Sequence, residues 1–397
     1  MPKFQQPKPS QRRSWLLNSQ NLKMAQSAHA YVRGNTAKFY EWLEKAEGTV
    51  PDGPAIWICG DCHVGNLGPV ANADGDVEIG IRDLDQTVIG NPAHDLIRLG
   101  LSLATAARGS DLPGVTTALM LEQMVKGYTS ALQANSRKKP LHGDGLKPVQ
   151  LVMKEALNRK WRHLAQERIQ DVHPTIPLGR KFWALTKQEH EEIHQLFQSD
   201  EVGFLITCLH KRDKEDAIEV LDAAYWMKGC SSLGRLRYAI LLGVNKRYCL
   251  IDIKEAVQAR APGYDNAGVP RNHADRVVAG ARALTPFLGE RMLAARLLKK
   301  PVVLRELRPQ DLKLELESMS REEAVAAANF LAAVVGRSHA RQMTAFEKKE
   351  WKVVLGRQSK SLDAPSWLWT SVVDLISSHE TAYLEHCRRY ALSSIAV

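Results

Sequence analysis

Residues 58–95 read ICGDCHVGNLGPVANADGDVEIGIRDLDQTVIGNPAHD. The stretch packs seven acids, two His, two Cys and six Gly between short apolar runs. Two of those runs, Ala55–Gly60 (AIWICG) and Val77–Ile81 (VEIGI), read as buried strands. Each opens directly into polar residues, Gly60 to Asn66 after the first and Arg82 to Asp85 after the second. Side chains placed just past strand ends are held by a rigid scaffold yet stay reachable. A catalytic centre is expected here.

The spacing suggests which chemistry. Asp61 is followed five residues later by Asn66. In phosphoryl transfer an Asp orients or deprotonates an acceptor hydroxyl, and an Asn amide oxygen binds the hard Mg²⁺ ion. A second carboxylate must complete such a metal site, and Asp83 or Asp85 stands at the end of the next strand. Asp95 opens the following helix and can tie it to the loop by capping. Any one of these residues alone fits an ordinary turn; the ordered set points to a site.

Composition sets the outer limits. With 397 residues, 44% hydrophobic and 25% charged, the chain has material for two lobes and a real core. No run approaches the roughly 18 apolar residues of a membrane span, and the basic N-terminus lacks the apolar segment of a secretory signal, so a cytoplasmic protein is expected. A net charge of +10 admits nucleotides or other acidic partners. The basic residues are scattered, without aromatic interleaving or a zinc finger, which argues against nucleic acid as the main partner. Six Cys in such a protein are not a disulfide framework. Cys59-Gly-Asp-Cys62-His63 fits the haem-attachment pattern, but that chemistry needs export. A zinc site from Cys59, Cys62 and His63 lacks a second ligand pair, and a redox C-x-x-C would open a helix.

Along the chain, residues 1–20 read as a loose, basic arm. Helical spacing runs from Asn21 to Lys45 with a break at Arg33-Gly34, then over Ala93–Ala107 and Val115–Leu132. A basic loop over 136–146 follows, then polar helical regions to Arg162 and over Thr186–Phe197. From Ala223 the composition turns β-branched and aromatic, with runs to Lys228, Arg235–Leu242 and Arg247–Ile253 separated by turn residues; three antiparallel strands are expected. A helix over Asn272–Leu284, a second helical run to Leu298 and a strand over Val302–Leu307 come next. Ser320-Arg-Glu-Glu323 has the capping-box pattern ahead of a long helix, and Leu375–Tyr390 closes the chain.

In this order the motifs resemble the catalytic segment of aminoglycoside phosphotransferases and related kinase-like enzymes. They resemble more closely the bacterial domain-of-unknown-function family two-two-five-two. The matching positions are Tyr31–Gly34, Gly60–Gly68, Asp83-Leu84-Asp85, Asp95–Leu99, Gly229–Gly234, Lys254-Glu255-Ala256, Arg276-Val277-Val278, Pro286–Gly289, Arg305-Glu306-Leu307 and His339-Ala340-Arg341, spanning about residues 20–390. The resemblance implies that Asp61, His63 and Asn66 serve catalysis, with His63 bracing the loop, and that Asn66, Asp83 and Asp85 bind metal. It implies further that Gly229, Ser231, Ser232, Gly234 and Lys254 hold the nucleotide, with Asp95, Arg98 and His339 as structural support. A glycine turn lets backbone N–H groups approach phosphates, and a Lys at a strand end adds a point charge. Asp252 shares a strand face with Lys254 and can pair with it or line the pocket.

Kinases carry the glycine turn and Lys before the catalytic Asp; here they follow it. The implied fold is therefore α+β and protein-kinase-like, two-lobed and circularly permuted. It has a flexible basic arm (1–20), a catalytic part (21–215), a nucleotide-binding β part (216–312) and a helical return (313–397). The implied function is an ATP- and Mg²⁺-dependent phosphotransferase acting on a hydroxyl acceptor, a small molecule or a protein. The alternatives are an inactive kinase-like binder of nucleotide or partner, or a nucleotidyl transferase. Two departures bear on that choice. Ser231 replaces the middle glycine of the turn, and Ala279 stands where the family commonly has the Glu expected to pair with the Lys. Asp252, Glu255 or Glu306 would then have to partner Lys254.

Overall fold

A computed structural model describes residues 5–46, 48–133, 147–158, 175–207, 212, 217–230, 232–245, 247–264, 268–308, 320–357 and 367–390. The basic loop at 136–146, Ser231 and the proposed boundaries at 215/216 and 312/313 lie outside them.

The 58–95 stretch folds around four short strands: β1 (Ile56–Ile58), β2 (Leu67–Ala71), β3 (Val77–Ile81) and β4 (Val88–Gly90). β1 pairs with β4 and β2 with β3, both antiparallel. The two expected strands therefore form, but each pairs with one the sequence reading passed over. Gly68-Pro69 hides β2, because neither residue is at home in a strand interior. The turn joining β2 to β3 is the better signal: Asn72 and Asp76 bracket Asp74-Gly75, and the Asn72 side chain accepts from the Asp76 N–H at 2.8 Å.

The N-terminal region departs from expectation. Residues 5–8 carry no regular secondary structure, but α1 (Arg12–Ala25) starts within the expected arm, followed by α2 (Ala28–Gly34) and α3 (Thr36–Lys45). Arg12 is buried against Glu189, with contacts of 2.7 and 2.9 Å, and Leu16 enters the core. A Gln- and Arg-rich composition concealed a helix fixed by tertiary contacts. Asn35 separates α2 from α3 and caps α3 by accepting from the Lys38 N–H.

α4 (Pro92–Gly109) is buried continuously from Leu96 to Ala104 and runs through the main core. Around it pack α5 (Gly114–Gln133) and α6 (Lys147–Asn158), with later helices returning to the same core.

The second body is a six-stranded antiparallel sheet, spatial order β5-β6-β7-β8-β10-β9. Its strands are β5 (Phe182–Trp183), β6 (Ile218–Trp226), β7 (Arg237–Val244), β8 (Arg247–Glu255), β9 (Met292–Leu297) and β10 (Lys300–Leu307). Period-two alternation serves two faces. Tyr238, Ile240 and Leu242 join Ile251, Ile253 and Leu304 under α7 (Lys187–Leu196) and α8 (Asp200–Thr207), whereas Ala239 and Leu241 join Trp226 and Leu250. α9 (His273–Leu284) and the short α10 (Pro286–Gly289) connect β8 to β9, and Val277, Leu284 and Leu288 join the main core.

The helical run expected up to Leu298 is instead strand β9. Met292-Leu-Ala-Ala-Arg-Leu297 has strong helix formers, but pairing along β10 overrides that preference. The connecting turn holds Leu298 at φ 51° and Lys299 at φ 62°, a pair of left-handed residues suited to a two-residue hairpin. Lys299→Gly should therefore stabilise the protein by about 0.5–1 kcal/mol, the cost of the left-handed conformation outweighing the glycine's extra chain entropy. Urea unfolding would read this as a raised midpoint at unchanged slope.

The chain closes with α11 (Arg321–Ala340), α12 (Ala345–Arg357) and α13 (Trp367–Tyr390). The capping box at Ser320 and Glu323 is complete in both directions. α13 lies against α1: the Tyr383 hydroxyl donates to the Ala25 carbonyl at 3.2 Å. Among the described residues, no helix is long and apolar enough to cross a membrane.

Candidate functional site

Gly60 turns the chain out of β1. Its φ is +73°, and a Cβ there would meet the Gln86 carbonyl oxygen at 2.2 Å, so only glycine fits. Behind this turn sits Asp95, in the first turn of α4 and wholly buried. Its carboxylate accepts from the Cys59 N–H at 2.7 Å and the Gly60 N–H at 2.9 Å. The sequence suggested that Asp95 caps its own helix; Asn91 does that, leaving Asp95 to hold the loop.

His339 of α11 lies 3.1 Å from Asp95 through Nε2, and its Nδ1 lies 2.9 Å from the Tyr128 hydroxyl. Trp351 Nε1 donates to that hydroxyl at 3.1 Å. An indole can only donate, so the Tyr128 hydroxyl accepts there, and the His339 Nε2–H faces the Asp95 carboxylate. Tyr128 and Trp351 carry no local sequence signal, since their partners lie hundreds of positions away.

Asp61 follows. Its Oδ1 accepts from Arg98 Nε at 2.8 Å and its Oδ2 from the Thr36 hydroxyl at 3.0 Å. Arg98 is fully buried and also donates to the Val32 carbonyl at 2.6 Å, tying α2 to the loop. Asn66 donates its Nδ2 to the Asp61 carbonyl at 2.9 Å; its Oδ1 accepts no hydrogen bond among the described residues.

Asp83 and Asp85 meet Lys254 from β8. Lys254 Nζ lies 3.2 Å from both Asp83 oxygens and 2.6 Å from Asp85 Oδ2. Burial acts to raise Asp83, but Lys254, with Arg237 and Arg305 behind it, holds it well below the usual carboxylate range. Asp85 moves the other way, raised by burial and by the charge of Asp83. The expected partners of Lys254 are occupied elsewhere. Asp252 holds Arg237 at 2.9 and 2.5 Å, Glu255 holds Lys300 at 2.9 Å and Glu306 holds Arg212 at 3.0 Å. The ammonium pairs instead with Asp83 and Asp85.

Asp61, His63, Asn66, Asp83, Gly229 and Ser232 line one cavity of about 360 Å³. Lys254 and Asp85 line a smaller neighbour of about 60 Å³ that shares Asp83, Arg82, Arg237 and Arg305 with the first. Gly229 and Gly234 have φ of 94° and 93°, which gives the turn between β6 and β7 its glycines; Gly234 lies away from the cavity wall. Asp95, Arg98 and His339 stand behind the loop rather than in it.

His63 was expected to brace the loop, yet its ring makes no hydrogen bond among the described residues, and Nδ1 is buried without a partner. The bracing falls to Asp95, Arg98 and Thr36. Burial, with Arg98 and Arg33 assisting, lowers His63 from 6.5 to about 4. The unfolded ring takes a proton below about pH 6.5 while the folded ring resists it until about 4, so this contribution is complete above pH 6.5 and lost as the pH falls toward 4. It amounts to about 3 kcal/mol. Unfolding measured between pH 7 and 4 should show that loss, and His63→Asn should remove only part of the slope, since burial also lowers His29, His94 and His379.

Cys59, Cys62 and Asp95 are close enough to suggest a metal cluster. Both Asp95 oxygens are engaged by N–H donors. A hydrogen bond with Cys62, together with burial, pushes the Cys59 thiol well up; Cys62, drawn down by that bond, is raised by burial and by Asp95. Both Cys side chains are buried in the main core.

The model of the family described as "Uncharacterized protein conserved in bacteria (DUF2252)" matches residues 12–389. The chain belongs to that family. No curated protein and no solved structure matches it.

Proposed function

We propose that the protein is an ATP- and Mg²⁺-dependent phosphotransferase with a kinase-like fold in circularly permuted order. The observation that carries this reading is the Asn66–Asp61 hydrogen bond at 2.9 Å, which spares the Asn66 amide oxygen while Asp83 stands on the wall of the same cavity. Asn66 and Asp83, with Asp85 beside them, form an all-oxygen donor set of the kind Mg²⁺ prefers. When bound, the ion neutralises charge on the nucleotide phosphates.

The remaining parts are supplied by the chain itself. The meander β6–β7–β8 carries a glycine turn between its first two strands and Lys254 on the third, with a helix following before β9 and β10, the arrangement that suits a nucleotide-clamping lobe. The cavity wall is rich in cations, with Lys23, Arg33, Arg82, Lys228, Arg237 and Arg305 against Asp61 and Asp83, which favours a polyanionic ligand. Contact between α1 and α13 brings the ends of the fold together, the condition under which permutation is tolerated.

In the proposed reaction Lys254 releases Asp83 and Asp85 and turns to the phosphates. Asp61, held by Arg98 and Thr36, orients the acceptor hydroxyl. As the acceptor oxygen bonds to the γ-phosphorus and the bond to the departing ADP breaks, the acceptor proton passes to Asp61 Oδ2.

Ala279 favours a second reading, in which the nucleotide lies differently and AMP is transferred, or nothing is. Incubation with Mg²⁺ and ATP labelled at the γ or the α position separates the three. Label transferred from γ-labelled ATP to water or a panel of hydroxyl compounds, and lost in Asp61→Ala, is expected. Transfer from the α position alone would assign nucleotidyl transfer, and no transfer despite bound Mg·ATP would assign a binder.

A further inference from the structure

We infer that the acceptor is a small hydroxyl compound carrying its own anionic group, a phosphate or carboxylate, held by Arg33; this rests on the phosphotransferase reading and specifies its second substrate. Arg33 sits at the end of α2, one residue beyond Val32. The buried Arg98 guanidinium binds the Val32 carbonyl with one nitrogen and Asp61 with another, so the same side chain that fixes Asp61 fixes the root of Arg33. Arg33 then lies across Gly65. A Cβ on that glycine would meet the Arg33 guanidinium at 3.0 to 3.2 Å. Its charge also reaches His63, where it helps keep the ring unprotonated.

Arg33 has no hydrogen-bond or ion-pair partner among the described residues, and its Nε is shut away from solvent without an acceptor. A guanidinium nitrogen desolvated without compensation is costly, and here the side chain lines the cavity into which an acceptor must come. Other cations of the wall are engaged: Lys23 donates to the Gly229 carbonyl and Lys228 lies over the Trp226 ring. Arg237 and Arg305 share Asp252, and Lys254 faces Asp83 and Asp85, all on the sheet side where the nucleotide phosphates belong. Arg33 lies against Gly65 of the loop that carries Asp61 and Asn66, and lines the same cavity as Asp61. A planar fork of donors at that point matches an oxyanion. A neutral polyol or an ammonium-bearing compound would leave it unmatched.

The test uses full-length protein saturated with Mg²⁺ and a non-hydrolysable ATP analogue, titrated calorimetrically with glycerol 3-phosphate, glycerate or glycerol. Either anion should bind on top of the nucleotide, phosphate and carboxylate being told apart by which binds more tightly, while glycerol should not. Arg33→Gln should weaken the anion by about tenfold or more, the size of a charge-assisted contact, and Arg33→Lys should restore part of it. Retained nucleotide binding by Arg33→Gln shows that the variant is folded. Glycerol binding as well as the anions, anion binding that survives Arg33→Gln, or anions that bind only when nucleotide is absent would each overturn the assignment. Failure of the nucleotide itself to bind would instead remove the phosphotransferase reading, and the same titrations without nucleotide would still decide whether Arg33 holds an anion.

Discussion

Asp95→Ala is expected to destabilise the protein by about 3–5 kcal/mol and to abolish transfer. One carboxylate terminates two backbone N–H groups, from Cys59 and Gly60, and the Nε2–H of His339. Each donor is left in an interior that water does not reach, since Asp95 and His339 are both fully buried. Relaxation is blocked because Gly60 is held in its left-handed turn and its carbonyl is taken by the Tyr40 hydroxyl. Asp95→Asn should recover only part of the loss, because its amide nitrogen would face an N–H. Urea unfolding reads the first effect; an unchanged midpoint in Asp95→Ala would show that the loop does not depend on this anchor.

The second large effect is catalytic. Asp61→Asn should lower the transfer rate by about 10²–10⁴-fold, the range for loss of a positioned general base, while leaving Mg·ATP affinity within a few-fold. The carboxylate points to Arg98 and Thr36 on one side and lines the cavity on the other, and it contacts no part of the proposed metal set except through the Asn66 bond to its backbone carbonyl. The amide keeps an oxygen for one of those donors but weakens the pairing with a buried guanidinium, so a lower melting temperature should accompany the kinetic loss. A variant that melts lower yet turns over at the wild-type rate would make Asp61 structural. Rate and affinity falling together would place it in nucleotide binding.

The polar loop was legible because its chemistry is local: Asp61, Asn66, Asp83 and Asp85 had to sit just past strand ends to meet at all. Much of the sheet was legible too, since β7 and β8 are enriched in β-branched and aromatic residues and their turns are marked. What escaped was decided by contacts distant in sequence. β9 looks helical until β10 claims it, α1 looks disordered until Glu189 receives Arg12, and Thr36, Tyr128 and Trp351 look like ordinary core residues. Lys254 shows a further kind of blindness. Proximity along β8 suggested Asp252, but two arginines, Arg237 and Arg305, take that carboxylate, and the ammonium crosses the cleft to Asp83 and Asp85.

If Asp83 belongs to a metal site and Lys254 to a phosphate site, Mg²⁺ and ATP should together part the pair and stabilise the fold. The most direct measurement is the thermal shift of wild type and Asp83→Ala with ATP, with and without Mg²⁺. A nucleotide present at 100 times its dissociation constant contributes about 2.7 kcal/mol, so a clear rise in melting temperature is predicted for the wild type with Mg·ATP. A much smaller rise is predicted without the ion or without Asp83. No rise in the wild type, or an equal rise in Asp83→Ala, would contradict the nucleotide and metal site.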